Sequence, residues 1–143
     1  TSTGMPSLNV PVRSRAALAR ARLRTDLWEQ HLKRRWASNP YLFCFDPETH
    51  GAQIRARKFA PAAGIYEDPA TGSAAMSLAG YFALENPTVL ETETGRFEWR
   101  IEQGMEMGRP SFLEAGVFKA AGKIKSLSVG GSSRLVCQGR IHL

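Results

Sequence analysis

Hydrophobic and polar positions divide this chain into three kinds of stretch. From Pro69 to Leu84 there is no charged residue, and Ala74, Ala75, Met76, Leu78, Ala79, Tyr81, Phe82, Ala83 and Leu84 cover every face of a helical wheel. A helix apolar all round has to be buried on all sides. This one is too short, and too interrupted by Gly and Ser, for a bilayer span, which needs about 20 apolar residues. The rest of the chain is therefore expected to wrap it. The second kind alternates. Phe97, Trp99 and Ile101 point one way while Glu98, Arg100 and Glu102 point the other, and Leu8, Val10 and Val12 share a face within Ser7 to Val12. Both read as strands. The third kind is the unbroken apolar run Tyr41 to Phe45, expected to be a strand buried on both faces.

Breakers and caps fill in the order. Pro6 and Pro11 mark the ends of the first strand or an edge location for it. Ser14 caps a short helix through Ala16, Ala17, Leu18 and Ala21. Thr25 or Asp26 caps a second, whose Trp28, Leu32 and Trp36 recur at four-residue spacing as a core seam. Asn39-Pro40 breaks that helix, and Asp46-Pro47 with His50-Gly51 turns the chain into a strand from Gln53 to Phe59. Asn86-Pro87 stops the apolar helix. Later come strands at Phe112 to Phe118 and Ile124 to Val129, a hairpin-type turn at Gly130-Gly131, and a closing strand from Arg134 to Leu143. Short strands late in the chain suit an antiparallel sheet or barrel wrapped around the central helix, an α+β fold. No repeat or linker divides residues 1–143, so they form a single domain.

The start of the apolar helix offers a place for chemistry. Asp68 before Pro69 fits an N-cap with Pro at the first helical position, and Thr71 is a second cap one turn later. On either reading the N–H groups near Gly72 and Ser73 lack intrahelical partners and lie at the positive end of the helix dipole, where an anion is welcome. Gly72 lets a ligand approach the backbone. The plainer alternative is that Asp68 and Thr71 only cap a core helix.

The same residues carry a resemblance. Glu67-Asp68-Pro69-Ala70-Thr71-Gly72-Ser73-Ala74 resembles the signature of the PhzF family, the phenazine-biosynthesis isomerases and their relatives. Lys58-Phe59-Ala60-Pro61 with Gly64 resembles the approach to it, and Gln103-Gly104-Met105-Glu106-Met107-Gly108-Arg109-Pro110-Ser111 resembles the downstream motif. The resemblance covers essentially the whole chain and implies the C-terminal lobe of a two-lobe protein similar to diaminopimelate epimerase, with the active site between lobes. It implies that Asp68 assists proton transfer and substrate binding, that Ser73 holds a substrate carboxylate through backbone and hydroxyl, with Thr71 and Gly72 beside it, and that the principal acid/base is a Glu in an N-terminal lobe. The related epimerases use a Cys at this helix start. Thr71 stands there instead, so a two-thiol mechanism has no support. The implied activity is cofactor-independent isomerisation of a small carboxylate, with the isolated chain inactive. A carboxylate-binding or scaffold protein without turnover is the alternative. A homodimer is compatible with either.

Composition changes this picture little. Hydrophobic content of 43% and charged content of 22% are ordinary globular values. The chain opens on Thr1, which reads as a processed chain or a fragment. No signal-peptide pattern or transmembrane run is present, and a cytoplasmic protein is expected. Cys44 and Cys137 are read as buried free thiols. His31, His50 and His142 have no ligand spacing, so no metal is expected, and the resemblance implies no cofactor. Glycine-rich phosphate fingerprints are absent. The net charge of +6 is concentrated between Arg13 and Arg35, where eight basic residues meet two acidic ones. With no interleaved aromatic pattern, this is a solvated helical face rather than a specific nucleic-acid site.

Overall fold

The architecture described here is that of a computed structural model, which describes residues 1–141. In chain order the elements are β1 (Ser7–Pro11), α1 (Arg15–Arg20), α2 (Thr25–His31), β2 (Asn39–Cys44), β3 (Ile54–Ala60), β4 (Ile65–Asp68), α3 (Gly72–Glu85), α4 (Pro87–Glu91), β5 (Gly95–Gln103), β6 (Ser111–Ala120) and β7 (Lys123–Gly130). Short 3₁₀ turns occupy Pro61–Ala63 and Met105–Met107.

One curled sheet runs β1-β2-β3-β5-β6-β7, with β4 also on β3. It is mixed rather than antiparallel. The β1/β2 and β3/β5 pairs are parallel, and the remaining pairs are antiparallel. A parallel pair needs a crossover between its strands. Here α1 and α2 supply one, and β4, α3 and α4 supply the other.

The charge-free helix is α3, and it packs against β1, β5, β6 and β7. Leu78 is 0% exposed and Phe82 6%, with Ala74, Ala75, Ala79 and Ala83 buried around them. Tyr41, Phe43, Ile54, Ala56, Ile101, Leu113, Ala115 and Val117 of the sheet close over these side chains. Phe82 is the aromatic hub, with ring centroids 5.2 Å from Trp99 and 5.7 Å from Phe43 and Phe45. The wrapping stops short at the C-terminal end, where Leu84 is exposed. Asn86 ends α3 and caps α4, its side chain accepting from the amides of Thr88 and Val89.

Ser14 caps α1 as expected, accepting from the Ala17 amide at 3.2 Å. None of the eight basic residues between Arg13 and Arg35 is buried, in keeping with a solvated face.

Several expectations are corrected. α2 is shorter than its pattern: it ends at His31, its N-cap position is Arg24, and neither Thr25 nor Asp26 caps it. Trp28 is buried and donates its indole N–H to the Ser38 carbonyl at 2.7 Å. Trp36, beyond the helix end, is 69% exposed, so the seam is not formed. Asn39-Pro40 begins β2 rather than ending a helix. Phe45 lies past the end of β2 and is exposed.

The last hairpin turns at Ala121-Gly122, where both φ values are positive (50° and 71°), and not at Gly130-Gly131. From Gly131 to Ile141 there is no strand, and Leu135, Val136, Cys137 and Ile141 are exposed. Cys137 is therefore not a buried thiol, whereas Cys44 is buried and its thiol is pushed up by that burial. His142 and Leu143 lie outside the described residues.

Candidate active site

The site is built where the sheet changes partners. One edge of β3 carries β2. Its other edge carries β5 along Ile54 to Ala56, then β4 from Lys58 to Ala60. The last residue of β5, Gln103, and the last residue of β4, Asp68, are thereby brought side by side. Gln103, fully buried, donates from Nε2 to the Asp68 carbonyl at 2.6 Å and to Thr71 Oγ1 at 3.1 Å. Its Oε1 accepts from the Tyr41 hydroxyl at 3.1 Å.

The loop from Asp68 to Thr71 is also held from below. Gly104 has φ +80°, and a Cβ placed there would lie 2.8 Å from the Pro69 carbonyl and 2.3 Å from that of Arg109. Only glycine permits that approach. The downstream motif thus acts as the clamp on the signature loop.

Thr71 occupies the N-cap position of α3 without an N-capping side-chain bond. Its hydroxyl donates instead to Asp68 Oδ2 at 2.6 Å. Asp68 Oδ1 lies 3.5 Å from the Ala70 amide. The first intrahelical bond runs from the Ala75 amide to the Thr71 carbonyl. The N–H groups of Gly72 and Ser73 have no acceptor among the described residues, as helix geometry requires. The Ser73 hydroxyl likewise makes no hydrogen bond there, while its carbonyl accepts from Thr3 Oγ1 at 3.0 Å. All four expected residues, Asp68, Thr71, Gly72 and Ser73, therefore lie together on one half-buried corner.

One detail of that corner differs from expectation. The hydrogen that replaces a side chain at Gly72 faces Val129 of β7, 3.4 Å from where a Cβ would be, so the glycine serves packing. Glu67, next to Asp68 in the chain, turns away from that corner. It points to the other face of β4 and is gripped by Arg57 at 2.8 and 2.7 Å.

The charged residues of β3 form a buried network beneath the site. Arg57 also donates to the Leu18, Ala19 and Ala21 carbonyls at the end of α1. Arg55 meets Glu48, Glu102 and Glu106 at 2.9–3.1 Å. Burial works against the Glu102 carboxylate, but the Glu48 and Thr49 amides and Arg55 overcome it and hold it below the ordinary range. Lys58 is buried, and its ammonium is pushed down to about 8, with Asp68 acting in the opposite direction. Sequence reasoning gave Gln103, Arg57 and Lys58 no part in the site. Gln103 and Lys58 fall inside the motifs and Arg57 lies one residue before one, so the motifs were the available signal for them.

A cleft of about 410 Å³ opens next to the loop between Arg100, Phe112, Glu114, Gly131 and Ser132. It reaches the signature only at Ala70. Among the described residues no three His, Cys, Asp or Glu side chains converge as metal ligands. No helix among them is long and apolar enough to cross a membrane.

Comparison with known proteins bears on this arrangement directly. The family model described as phenazine biosynthesis-like protein matches residues 1–139. The chain belongs to the PhzF family. An uncharacterised isomerase of Mesorhizobium japonicum is 35% identical, over 99% of this chain and 47% of its own length. The trans-2,3-dihydro-3-hydroxyanthranilate isomerase of Pseudomonas aeruginosa is 36% identical over 65% of this chain and 32% of its own length. A crystal structure of the Bacillus anthracis phenazine biosynthesis protein of the PhzF family superposes with a TM-score of 0.75 at 23% identity, covering 90% of this chain and 42% of that one. The last likeness shows the fold. The chain spans less than half the length of these PhzF relatives. The matched unit is the whole chain, and the coverage does not bear out its placement as a C-terminal half.

Proposed function

We propose that this chain is one lobe of a cofactor-independent isomerase that moves a proton on a small carboxylate. Asp68 is the acid/base group on this side of the cleft. The Gly72 and Ser73 amides, with the Ser73 hydroxyl, hold the substrate carboxylate, and Thr71 orients Asp68. The observation that carries this reading is the Asp68 carboxylate, held by Thr71 at 2.6 Å at the mouth of a helix whose first amides are free.

The chemistry is consistent with those parts. A positioned carboxyl group takes or gives the proton, and free amides at a helix N-terminus stabilise an anion. The relatives are named isomerases, and one is named for a dihydro-hydroxyanthranilate, a cyclic amino-acid-like carboxylate. We take that chemical class as the substrate class here. A second lobe closes the cleft, excludes water and brings the second acid/base group, so the isolated chain is expected to be inactive. The free thiols Cys44 and Cys137 suit a reducing cytoplasmic setting.

A second reading is a carboxylate-binding or scaffold protein without turnover. It draws on the short Thr71 bond, which gives Asp68 a capping role of its own. Asp68→Asn in the two-lobe protein separates the two. The side chain keeps its size and loses proton transfer, so kcat should fall about 10²–10⁴-fold while carboxylate binding changes little. Ser73→Pro removes one amide and should abolish binding first. Ordinary turnover by Asp68→Asn leaves Asp68 a helix cap and removes it from the mechanism.

A further inference from the structure

One buried cation at the site has no role in the reading above. Tyr41 of β2, Lys58 of β3 and Asp68 of β4 form a single cross-strand row. Residues directly opposite in antiparallel pairs present their side chains on the same face. Lys58 shares that face with Ile54 and Ala56 of the core, whereas Arg55 and Arg57 point the other way and are committed to carboxylates.

Lys58 is 5% exposed. Its Nζ donates to Ser7 Oγ and to the Asn39 carbonyl, both at 3.0 Å, and lies 5.8 Å from the Tyr41 ring centroid. Every direct partner is neutral, and among the described residues it makes no ion pair. Burial on neutral partners weakens the hold of such an amine on its proton. From β1 it faces Ser7, and from β2 Asn39 and Tyr41, whose buried hydroxyl is pushed up and stays protonated. From β4 it faces Asp68. Asp68 is therefore the one charged group in the row that answers it.

We propose that Lys58 is a positioning residue of the site: its buried ammonium is the fixed positive charge against which Asp68 and an incoming carboxylate are held, so carboxylate binding weakens when Lys58 loses its proton. The proposal rests on the reading of Asp68 to Ser73 as a carboxylate site. Burial pushes the Lys58 ammonium down to about 8, so the charge is present below that pH and lost as the pH rises through it. A bound anion in turn raises the Lys58 midpoint, because the linkage is reciprocal.

The test uses the full chain labelled on lysine Nζ and Cε, titrated by NMR, with anthranilate as the carboxylate probe. Lys58 should titrate near 8, apart from the surface lysines, and Asp68→Asn should lower that midpoint by removing the opposing charge. Anthranilate should bind the wild type about tenfold more weakly at pH 9.5 than at pH 6.5, the effect of one pKa unit of coupling. Lys58→Met should bind weakly at both pH values. Lys58→Gln keeps a hydrogen-bond donor without the charge and should match Lys58→Met. If Lys58→Met fails to fold, Lys58→Gln and the wild-type titration decide the question. Titration of Lys58 with the surface lysines, a midpoint unmoved by Asp68→Asn, or a pH dependence retained in the variants would overturn the proposal. Absence of anthranilate binding at either pH overturns the carboxylate site itself, and this proposal with it. Binding without pH dependence overturns only the role of Lys58.

Discussion

The Arg57–Glu67 pair is the most direct test of what holds the signature loop. Arg57 is in the middle of β3 and Glu67 one residue before Asp68, with side-chain exposures of 4% and 8%. The contact is bidentate, 2.8 and 2.7 Å, and the Glu67 interaction is the main cause of the upward shift of the guanidinium. Removing one partner of a buried pair typically costs about 3–5 kcal/mol, because the other charge is left uncompensated. The two halves are not equivalent here. In Glu67→Gln the guanidinium keeps its bonds to the Leu18, Ala19 and Ala21 carbonyls, and the amide still offers one acceptor. The loss should therefore lie near or below the low end, about 2–3 kcal/mol. In Arg57→Met the Glu67 carboxylate is stranded and the α1 carbonyls lose their donor, so the full about 3–5 kcal/mol is expected. The double variant should cost less than the sum of the two, by an interaction energy of about 1–3 kcal/mol. Urea unfolding of the four proteins at pH 7 gives all the terms, provided their m-values agree. Additivity within about 0.5 kcal/mol would refute the view that this pair is a coupled clamp on the Asp68 loop.

Three further outcomes follow from the same geometry. Phe82→Ala should cost about 3–5 kcal/mol by denaturant unfolding, since it empties the centre of an aromatic cluster that includes Phe43, Phe45 and Trp99; a loss under about 1 kcal/mol would mean that α3 is not the core. Gly104→Ala places a methyl against the Pro69 and Arg109 carbonyls at a positive φ, and should lose at least about 1–3 kcal/mol together with anthranilate binding; unchanged stability would show that the Gly104 turn does not seat the loop. Lys58 should make stability rise with pH. Its folded value near 8 lies below the ordinary lysine value, so between the two the unfolded chain binds the extra proton and is penalised as protons become scarce, by about 3 kcal/mol across the window. Comparing denaturant midpoints of wild type and Lys58→Met at pH 7.5 and 10.5 isolates this contribution, and parallel pH slopes would contradict it.

Much of the fold was legible because it rests on local pattern. A run without charge from Pro69 to Leu84 reads as a wrapped helix, and the period-two alternation through Phe97 to Ile101 as a half-buried strand, and both form. Asp68, Thr71, Gly72 and Ser73 were readable for a similar reason: capping chemistry acts over three or four residues, so their proximity is written in their spacing. Local pattern misled where the outcome depended on the next contact in space. Trp28, Leu32 and Trp36 have helical spacing, but α2 ends at His31 and Trp36 is left in solvent. Residues 134–141 alternate like a strand yet have no neighbouring strand to pair with, and an alternating segment without a ladder partner is only a chain.

The charges on β3 were decided by tertiary structure alone. Nothing local to Arg55, Arg57 and Lys58 predicts burial, because an unpartnered charge belongs in water. They are buried because Glu102, Glu106, Ser7 and Asn39, distant in the chain, and Glu48 and Glu67, brought back by the turns flanking β3, arrive around them. The same holds for the clamp on the site. Gln103 reaches Asp68 and Thr71 across more than thirty residues only because β4 and β5 share one edge of β3. The local sequence could therefore specify which groups gather at the start of α3, while the pairing of distant strands specified what surrounds them, and in a low-dielectric interior the surroundings set the charge state.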